Sequence, residues 1–430
     1  MGLREPHDGT GREGGAQSVS MEQGLRNYLV VTGGYWAFTI TDGAIRMLVV
    51  LYFHTLGYSP FEVAMLFLFY EFFGIVTNLV GGWLGARIGL NLTMHIGMGL
   101  QVVALLMLTV PDAWLSVVYV MVAQALSGIA KDLNKMSAKA SVRIMVTDGG
   151  ESRLFKWVAI LTGSKNALKG GGFFIGAALL QWIGFRGALI VLAGMLLVVL
   201  VITAALLPSG VGKMKSKPKF TAVFSKIAAI NWLSAARFFL FGSRDIWFVV
   251  GLPVFLYEVL GWSFTEVGTF MALWIIGYGI VQASAPRLIR RSHHGQGPGG
   301  GTARLWAFVL AFFPAAIALG LHQGWPADIV IVTGLVLFGI VFAINSAVHS
   351  YLILAYSDRD KVSMNVGFYY MSNAGGRLTG TILSGWVYQN HGLEGCLWWS
   401  TAFVLAAAVL SLTLPEVTAT SAVEAEKTGS

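Results

Sequence analysis

Unbroken apolar stretches of roughly 18 or more residues recur along the whole of this 430-residue chain, each long enough to cross bilayer hydrocarbon as a helix. No water is available in that region to hydrogen-bond the backbone, so only helices and closed barrels can span it. The runs are continuous rather than alternating, which argues against a barrel. Charged residues make up 12% of the chain, about half the share usual in soluble domains, and this argues against a soluble multidomain protein. The expected fold is an all-α membrane protein with twelve transmembrane helices. They are placed near 27–54, 61–86, 92–110, 114–138, 153–181, 187–207, 228–259, 263–286, 303–322, 328–356, 362–389 and 394–414.

The formal net charge of +8 invites a nucleic-acid partner, but its distribution points elsewhere. On this helix count the even-side connections carry Arg87, Arg143, Arg153, Lys213, Lys215, Lys217, Lys219, Lys226, Arg287, Arg290, Arg291, Arg304, Arg359 and Lys361. The odd side carries Arg186 alone. Such a bias is the positive-inside rule, and it puts both termini of a multi-pass inner-membrane protein in the cytoplasm. Residues 1–24 are rich in Gly, Arg and Glu and read as a disordered cytoplasmic lead, not a signal peptide. The remaining units are a bundle over 25–207, a basic cytoplasmic linker over 208–226, a second bundle over 227–415 and a polar cytoplasmic tail over 416–430. The linker reads as a solvated loop that holds orientation, with anionic lipid headgroups as its other use.

Two halves are visible within the helices. Leu56-Gly-Tyr-Ser-Pro-Phe-Glu-Val-Ala64 recurs as Leu260-Gly-Trp-Ser-Phe-Thr-Glu-Val-Gly268 at an offset of 204, and Ser164, Lys169 and Gly172 are echoed by Ser372, Arg377 and Gly380 at an offset of 208. Two six-helix pseudo-repeats joined by a basic loop resemble the organisation of major facilitator transporters, whose substrate path runs between the halves. Gly82-Trp-Leu-Gly-Ala-Arg-Ile-Gly89 resembles that superfamily's signature loop, with Ala86 where an acid is usual.

A charge at membrane depth is expensive, so buried ionisable residues are functional candidates. The deep cations are Arg46, Lys131, Lys135, Lys165, Lys169, Arg237, Arg244 and Arg377, and the deep acids are Asp42, Glu71, Asp132 and Asp245. That surplus of four suits a small polyanion, held by Arg as a planar fork and by Lys as a point charge. Lys165 and Lys169 share one helix face, with no acid within a turn of them on that helix. They and Arg377 are the expected primary contacts. Arg46 and Arg244 come next, Asn373 is a polar aid, and Lys131 and Lys135 lie in the cytoplasmic third of the path. The opposing structural reading pairs Arg46 with Asp42, and Asp245 with Arg237 or Arg244, as ion pairs that only fix packing. Asp42, Glu71 and Asp245 are the candidates for proton coupling. His349, with Asn345 and Ser346, lines the cavity or sits in the packing. The Gly170–Gly172 run reads as close helix packing rather than a phosphate loop. Cys396 is the only cysteine, so neither a disulfide framework nor a thiolate metal cluster is expected. No cofactor, metal site or enzyme motif is recognised.

Five segments narrow the reading: 27–36, 41–54, 127–137, 163–169 and 369–377, the last two carrying Lys165, Lys169, Asn373 and Arg377. They resemble the organoarsenical efflux permeases of bacterial arsenic-resistance operons, over roughly residues 25–415. The resemblance implies export of arseno-phosphoglycerate, the product formed when glyceraldehyde-phosphate dehydrogenase accepts arsenate, and hence arsenate resistance. The dehydrogenase would then be a functional partner through its product. The lone cysteine agrees, because trivalent arsenic takes several thiolates while the pentavalent oxyanion takes Arg and Lys. The alternative is a transporter or exchanger of ordinary phosphorylated metabolites or organic anions. A third reading, a receptor that transports nothing, predicts unchanged arsenate sensitivity in Lys169→Ala. The expected partners are a small anion and the bilayer, with no nucleic acid, and the expected state is a monomer.

Overall fold

The structure, a computed structural model, describes residues 10–145, 150–208, 227–292, 298–356 and 362–416. Its α-helices are α1 (Thr10–Thr55), α2 (Pro60–Met65), α3 (Leu68–Ile88), α4 (Leu90–Met107), α5 (Val117–Met145), α6 (Gly150–Leu206), α7 (Ala228–Phe248), α8 (Gly251–Glu258), α9 (Phe264–Ser292), α10 (Gly300–His322), α11 (Ala327–Ala355) and α12 (Val362–Leu410). Nine segments among the described residues are long and apolar enough to cross a membrane. The difference from the expected twelve has physical causes. α6 turns at Gly184 (φ 74°) and α12 at Gly392 (φ 62°), between the helices expected at 153–181 and 187–207 and at 362–389 and 394–414. Only glycine takes that left-handed geometry without a steric penalty, and here one residue does the work of a loop. α5 falls outside the nine because its second half carries Lys131, Asp132, Asn134 and Lys135.

α1 begins at Thr10, inside the segment expected to be a disordered lead; no proline interrupts 10–25, and the apolar span starts at Arg26. Residues 1–9, 209–226 and 417–430 lie outside the described residues. So do the side chains of Arg87, Arg143, Arg153, Arg287, Arg290, Arg291, Arg359 and Lys361, and with them most of the positive-inside pattern.

The repeated Leu-Gly-x-Ser-x-x-Glu segments are helix punctuation. Gly57 (φ 88°) and Gly261 (φ 68°) end one helix, and Ser59 and Ser263 open the next. Ser59 Oγ accepts from the Glu62 amide at 3.3 Å while Glu62 Oε2 accepts from the Ser59 amide at 2.8 Å. Ser263 and Glu266 repeat this at 3.3 and 2.7 Å. Each capping box satisfies amides that a helix start would otherwise leave unpaired.

Glycine pairs set the crossings that carry the site. Gly43 of α1 faces Gly172 of α6, and Gly380 of α12 faces Gly242 of α7; a Cβ at Gly43, Gly172 or Gly380 would run into the neighbour's backbone, and one at Gly242 into the Phe403 ring. Gly170 lies likewise against Ala272 and Ile276 of α9, so Gly170 and Gly172 are packing residues. The break between α7 and α8 frees the Val250 and Gly251 amides, and both donate to the fully buried Ser384 Oγ, at 3.1 and 3.2 Å. Ser384→Ala leaves two buried donors without a partner. It is expected to destabilise the protein by about 2–4 kcal/mol, read as a lowered Tm in detergent.

The connections sort to opposite ends of the bundle. At one end Arg186 pairs with Asp112 (3.0 Å), Tyr52 Oη donates to the same carboxylate (2.9 Å) and Tyr58 Oη donates to Leu115 O (2.7 Å). At the other end Asn91 Nδ2 donates to Pro208 O (2.7 Å), and Pro415 O accepts from Tyr356 Oη (2.6 Å) and the Gly300 amide (3.1 Å).

Candidate functional site

Between the two halves lies a cavity of about 240 Å³, walled by α1, α3, α5 and α6 on one side and α7, α9, α11 and α12 on the other. All twelve deep charged residues expected from the sequence line it, eight cations and four acids, together with Asn373. Lys165 and Lys169 sit one turn apart on its α6 wall, and Arg377 faces them from α12.

A chain of alternating charge crosses the cavity. Arg46 Nη2 on α1 reaches Glu71 Oε1 on α3 at 2.9 Å, and Arg377 Nη2 reaches the same oxygen at 2.6 Å. Arg377 Nε contacts Asp245 Oδ2 at 3.1 Å, and Asp245 Oδ1 is held by Arg244 Nη2 at 2.5 Å. Glu71 and Asp245 are each 1% exposed and Arg46 4%. These carboxylates are therefore paired almost out of water, where the loss of one partner is costly. The expected Arg46–Asp42 pair does not form. Arg46 extends to α3, and Asp42 accepts from Tyr70 Oη (2.5 Å) and pairs with Lys169 Nζ (3.5 Å). Lys169 finds on a neighbouring helix the acid that its own helix does not offer within a turn. Asp245 takes Arg244, one of the two partners the structural reading offered it, and Arg377 as well, but not Arg237.

In the N-terminal half Asp132 serves two lysines, Lys135 at 2.5 Å and Lys131 at 3.7 Å. Lys135 also donates to Asn78 Oδ1 (2.7 Å), and Lys131 lies over the Tyr70 ring, 4.0 Å from its centroid. Glu71, Asp245 and Asp132 are thus each shared by two cations, while Asp42 is paired with Lys169. An entering anion meets charges already placed and only half compensated. Polar lining residues that went unselected in the sequence include Asn78, Asn166, Tyr278, Gln282 and Ser350, with Tyr70 behind them on Asp42; Gln282 bridges the halves by accepting from Asn166 Nδ2 at 3.3 Å. The signal for Asn78 and Gln282 was a lone amide in an apolar run; Tyr70 had none. His349 and Asn345 are fully buried and absent from the cavity lining, while Ser346 lies behind it, bonded to Arg237. Among the described residues no three His, Cys, Asp or Glu are grouped so as to hold a metal ion.

The sequence profile of the Major Facilitator Superfamily matches residues 31–347. Solved structures share the fold. A POT family transporter in complex with a thioalcohol conjugated peptide has a TM-score of 0.72 at 13% identity, over 90% of this chain and 96% of that one. A bacterial homologue of the human drug peptide transporters PepT1 and PepT2 gives 0.68 at 16%, over 90% and 97%. A mutant of the nucleoside transporter NupG gives 0.68 at 14%, over 91% and 98%. No curated protein matches the sequence.

Proposed function

The chain belongs to the major facilitator superfamily, and from that premise we propose that it exports an anionic organoarsenical phosphate ester by alternating access. The ester is arseno-phosphoglycerate, moved out of the cytoplasm to confer arsenate resistance. The chain is a multi-pass membrane protein of the transporter kind. The inner membrane and cytoplasmic termini belong to the proposal. Neighbours named for peptides and for a nucleoside share the fold, so cargo has to be argued from the lining. One observation carries the sign of the cargo: eight cations and four acids around a single cavity between the halves. The electrostatic surplus repels a cationic drug and attracts a compact polyanion. The arsenical identity is supported by the family resemblance of segments 27–36, 41–54, 127–137, 163–169 and 369–377.

Lys165, Lys169 and Arg377 hold the anion, with Arg46, Arg244, Asn373, Lys131 and Lys135 around it, and Asp42, Glu71 and Asp245 carry any coupled proton. The test is uptake into everted vesicles, with substrate made in place by glyceraldehyde-phosphate dehydrogenase and arsenate. Lys165→Ala, Lys169→Ala and Arg377→Ala are each expected to cut initial uptake by about tenfold or more. Unchanged uptake in all three ends the site assignment. Uptake of phosphorylated but not arsenylated glycerate would favour an ordinary metabolite carrier.

A further inference from the structure

We propose that the cavity contains two separate oxyanion subsites, one in each half, with Arg237 as the anchor of the second. Its substrate is then a short organic molecule carrying an anionic group at each end, not a single inorganic oxyanion. The inference rests on the anion-carrier reading above and specifies its cargo.

Arg237 differs from its neighbours. It lines the cavity from α7 yet is 5% exposed, and no carboxylate among the described residues forms an ion pair with it. Its Nε donates to Asn373 Oδ1 (2.9 Å), and its Nη1 donates to Ser346 O (3.3 Å) and Ser346 Oγ (3.1 Å). These bonds go to neutral oxygens. They fix the guanidinium without cancelling its charge, and they leave the two hydrogens of Nη2 for a ligand. The Phe241 ring, 3.7 Å from the guanidinium carbon, holds its plane, with Tyr369 at 5.1 Å. A buried charge with neutral partners alone is unfavourable, and an incoming oxyanion supplies what is missing.

Ser346 adds a second donor. Arg237 Nη1, Gln282 Nε2 and Tyr278 Oη all lie within 3.2 Å of Ser346 Oγ. A hydroxyl oxygen accepts two hydrogen bonds, so the third contact runs outward, from Ser346 Oγ–H to Tyr278 Oη. The Tyr278 hydroxyl proton is then available to the cavity that Tyr278 lines.

The charges partition in the same way. On the N-terminal wall Lys131, Lys135, Lys165 and Lys169 face Asp42 and Asp132, an excess of two. The crossing chain of Arg46, Arg377 and Arg244 with Glu71 and Asp245 has an excess of one, and Arg237 stands apart on the C-terminal wall with one. A single oxyanion answers one cluster. A two-ended anion answers both and ties the halves together.

The test titrates inorganic phosphate, glycerol 3-phosphate and 3-phosphoglycerate, a stable two-ended probe, into the purified full-length protein by calorimetry. The wild type is expected to bind 3-phosphoglycerate about thirtyfold more tightly than glycerol 3-phosphate. Arg237→Gln is expected to erase that advantage while leaving glycerol 3-phosphate affinity unchanged, and Arg237→Lys to keep part of it. Equal wild-type affinity for the two organic probes, or an Arg237→Gln loss that is the same for every probe, overturns the second subsite and leaves the anion-carrier reading standing. Failure of all three probes to bind the wild type overturns both. The wild-type comparison and the lysine variant decide the matter even if Arg237→Gln folds poorly.

Discussion

Glu71→Gln is expected to lower stability by about 3–5 kcal/mol, as loss of one partner from a buried ion pair does. The reason lies in Arg46, which is 4% exposed and has Glu71 as its acid partner at 2.9 Å. Arg377 also loses Glu71 but keeps Asp245 at 3.1 Å. Among the described residues Arg46 keeps the Phe67 and Tyr70 rings, each 5.1 Å away, and a cation–π contact recovers a fraction of a buried charge pair. Three measurements follow. The variant unfolds at a lower temperature in detergent. Arg46→Gln combined with Glu71→Gln regains much of the loss, because the stranded charge is gone, and the interaction energy from the double-mutant cycle is large. Added 3-phosphoglycerate raises the Tm of Glu71→Gln by more than it raises that of the wild type, since a bound anion restores part of the missing negative charge. A Glu71→Gln protein with wild-type Tm would show that this carboxylate carries no such burden.

Depth was legible in the sequence; pairing was not. A charge inside an apolar run is tolerated only where it faces water or a partner, so residue type and position marked the twelve charged residues as deep, and all twelve line one cavity. Which cation meets which acid is decided by neighbouring helices, and one-turn spacing misled. Asp42 and Arg46 are one turn apart on α1, yet the long arginine crosses to Glu71, and Asp42 is taken by Tyr70 and Lys169. The isolation of Arg237 from every described acid is equally tertiary. Helix ends were legible where a capping box writes them, as at Ser59 and Ser263. They were less so at Gly184 and Gly392, where a single residue replaces a loop. The cation surplus supports the proposed sign of the cargo, while the arsenical comes from resemblance alone.

Gly385→Leu and Gly268→Leu are each expected to abolish transport while sparing ligand binding. At the end of the bundle that carries Gly57 and Gly261, the halves meet in two contacts built alike. Gln389 Oε1 accepts from the Phe61 amide of α2 at 3.2 Å, and Gln181 Oε1 accepts from the Thr265 amide of α9 at 3.1 Å. Each glutamine takes a first-turn amide that the capping box leaves over, from a helix of the opposite half. Beside them the backbones pack as closely as small residues allow. A Cβ on Gly385 would strike Ala64 and Pro60, and one on Gly268 would strike Ala177 and the Phe173 carbonyl. The pattern obeys the sequence offsets of 204 and 208, with glycine and alanine exchanged between the two contacts. Leucine is a better helix former than glycine by about 1 kcal/mol, so neither helix should melt. What the added side chain prevents is closure of this end, and a carrier that cannot close one end cannot complete a cycle. Vesicle uptake should fall by about a hundredfold, since overpacking at the top of the usual range, about 3 kcal/mol, shifts a two-state gate by that order. 3-Phosphoglycerate affinity should stay within about threefold, because neither glycine lines the cavity. A cysteine placed at Gln181 or Gln389 should react faster with an impermeant maleimide in the leucine variants than in the parent, and Cys396, fully buried, adds little background. Normal uptake by both leucine variants would mean that these glycine contacts are not the seal between the halves.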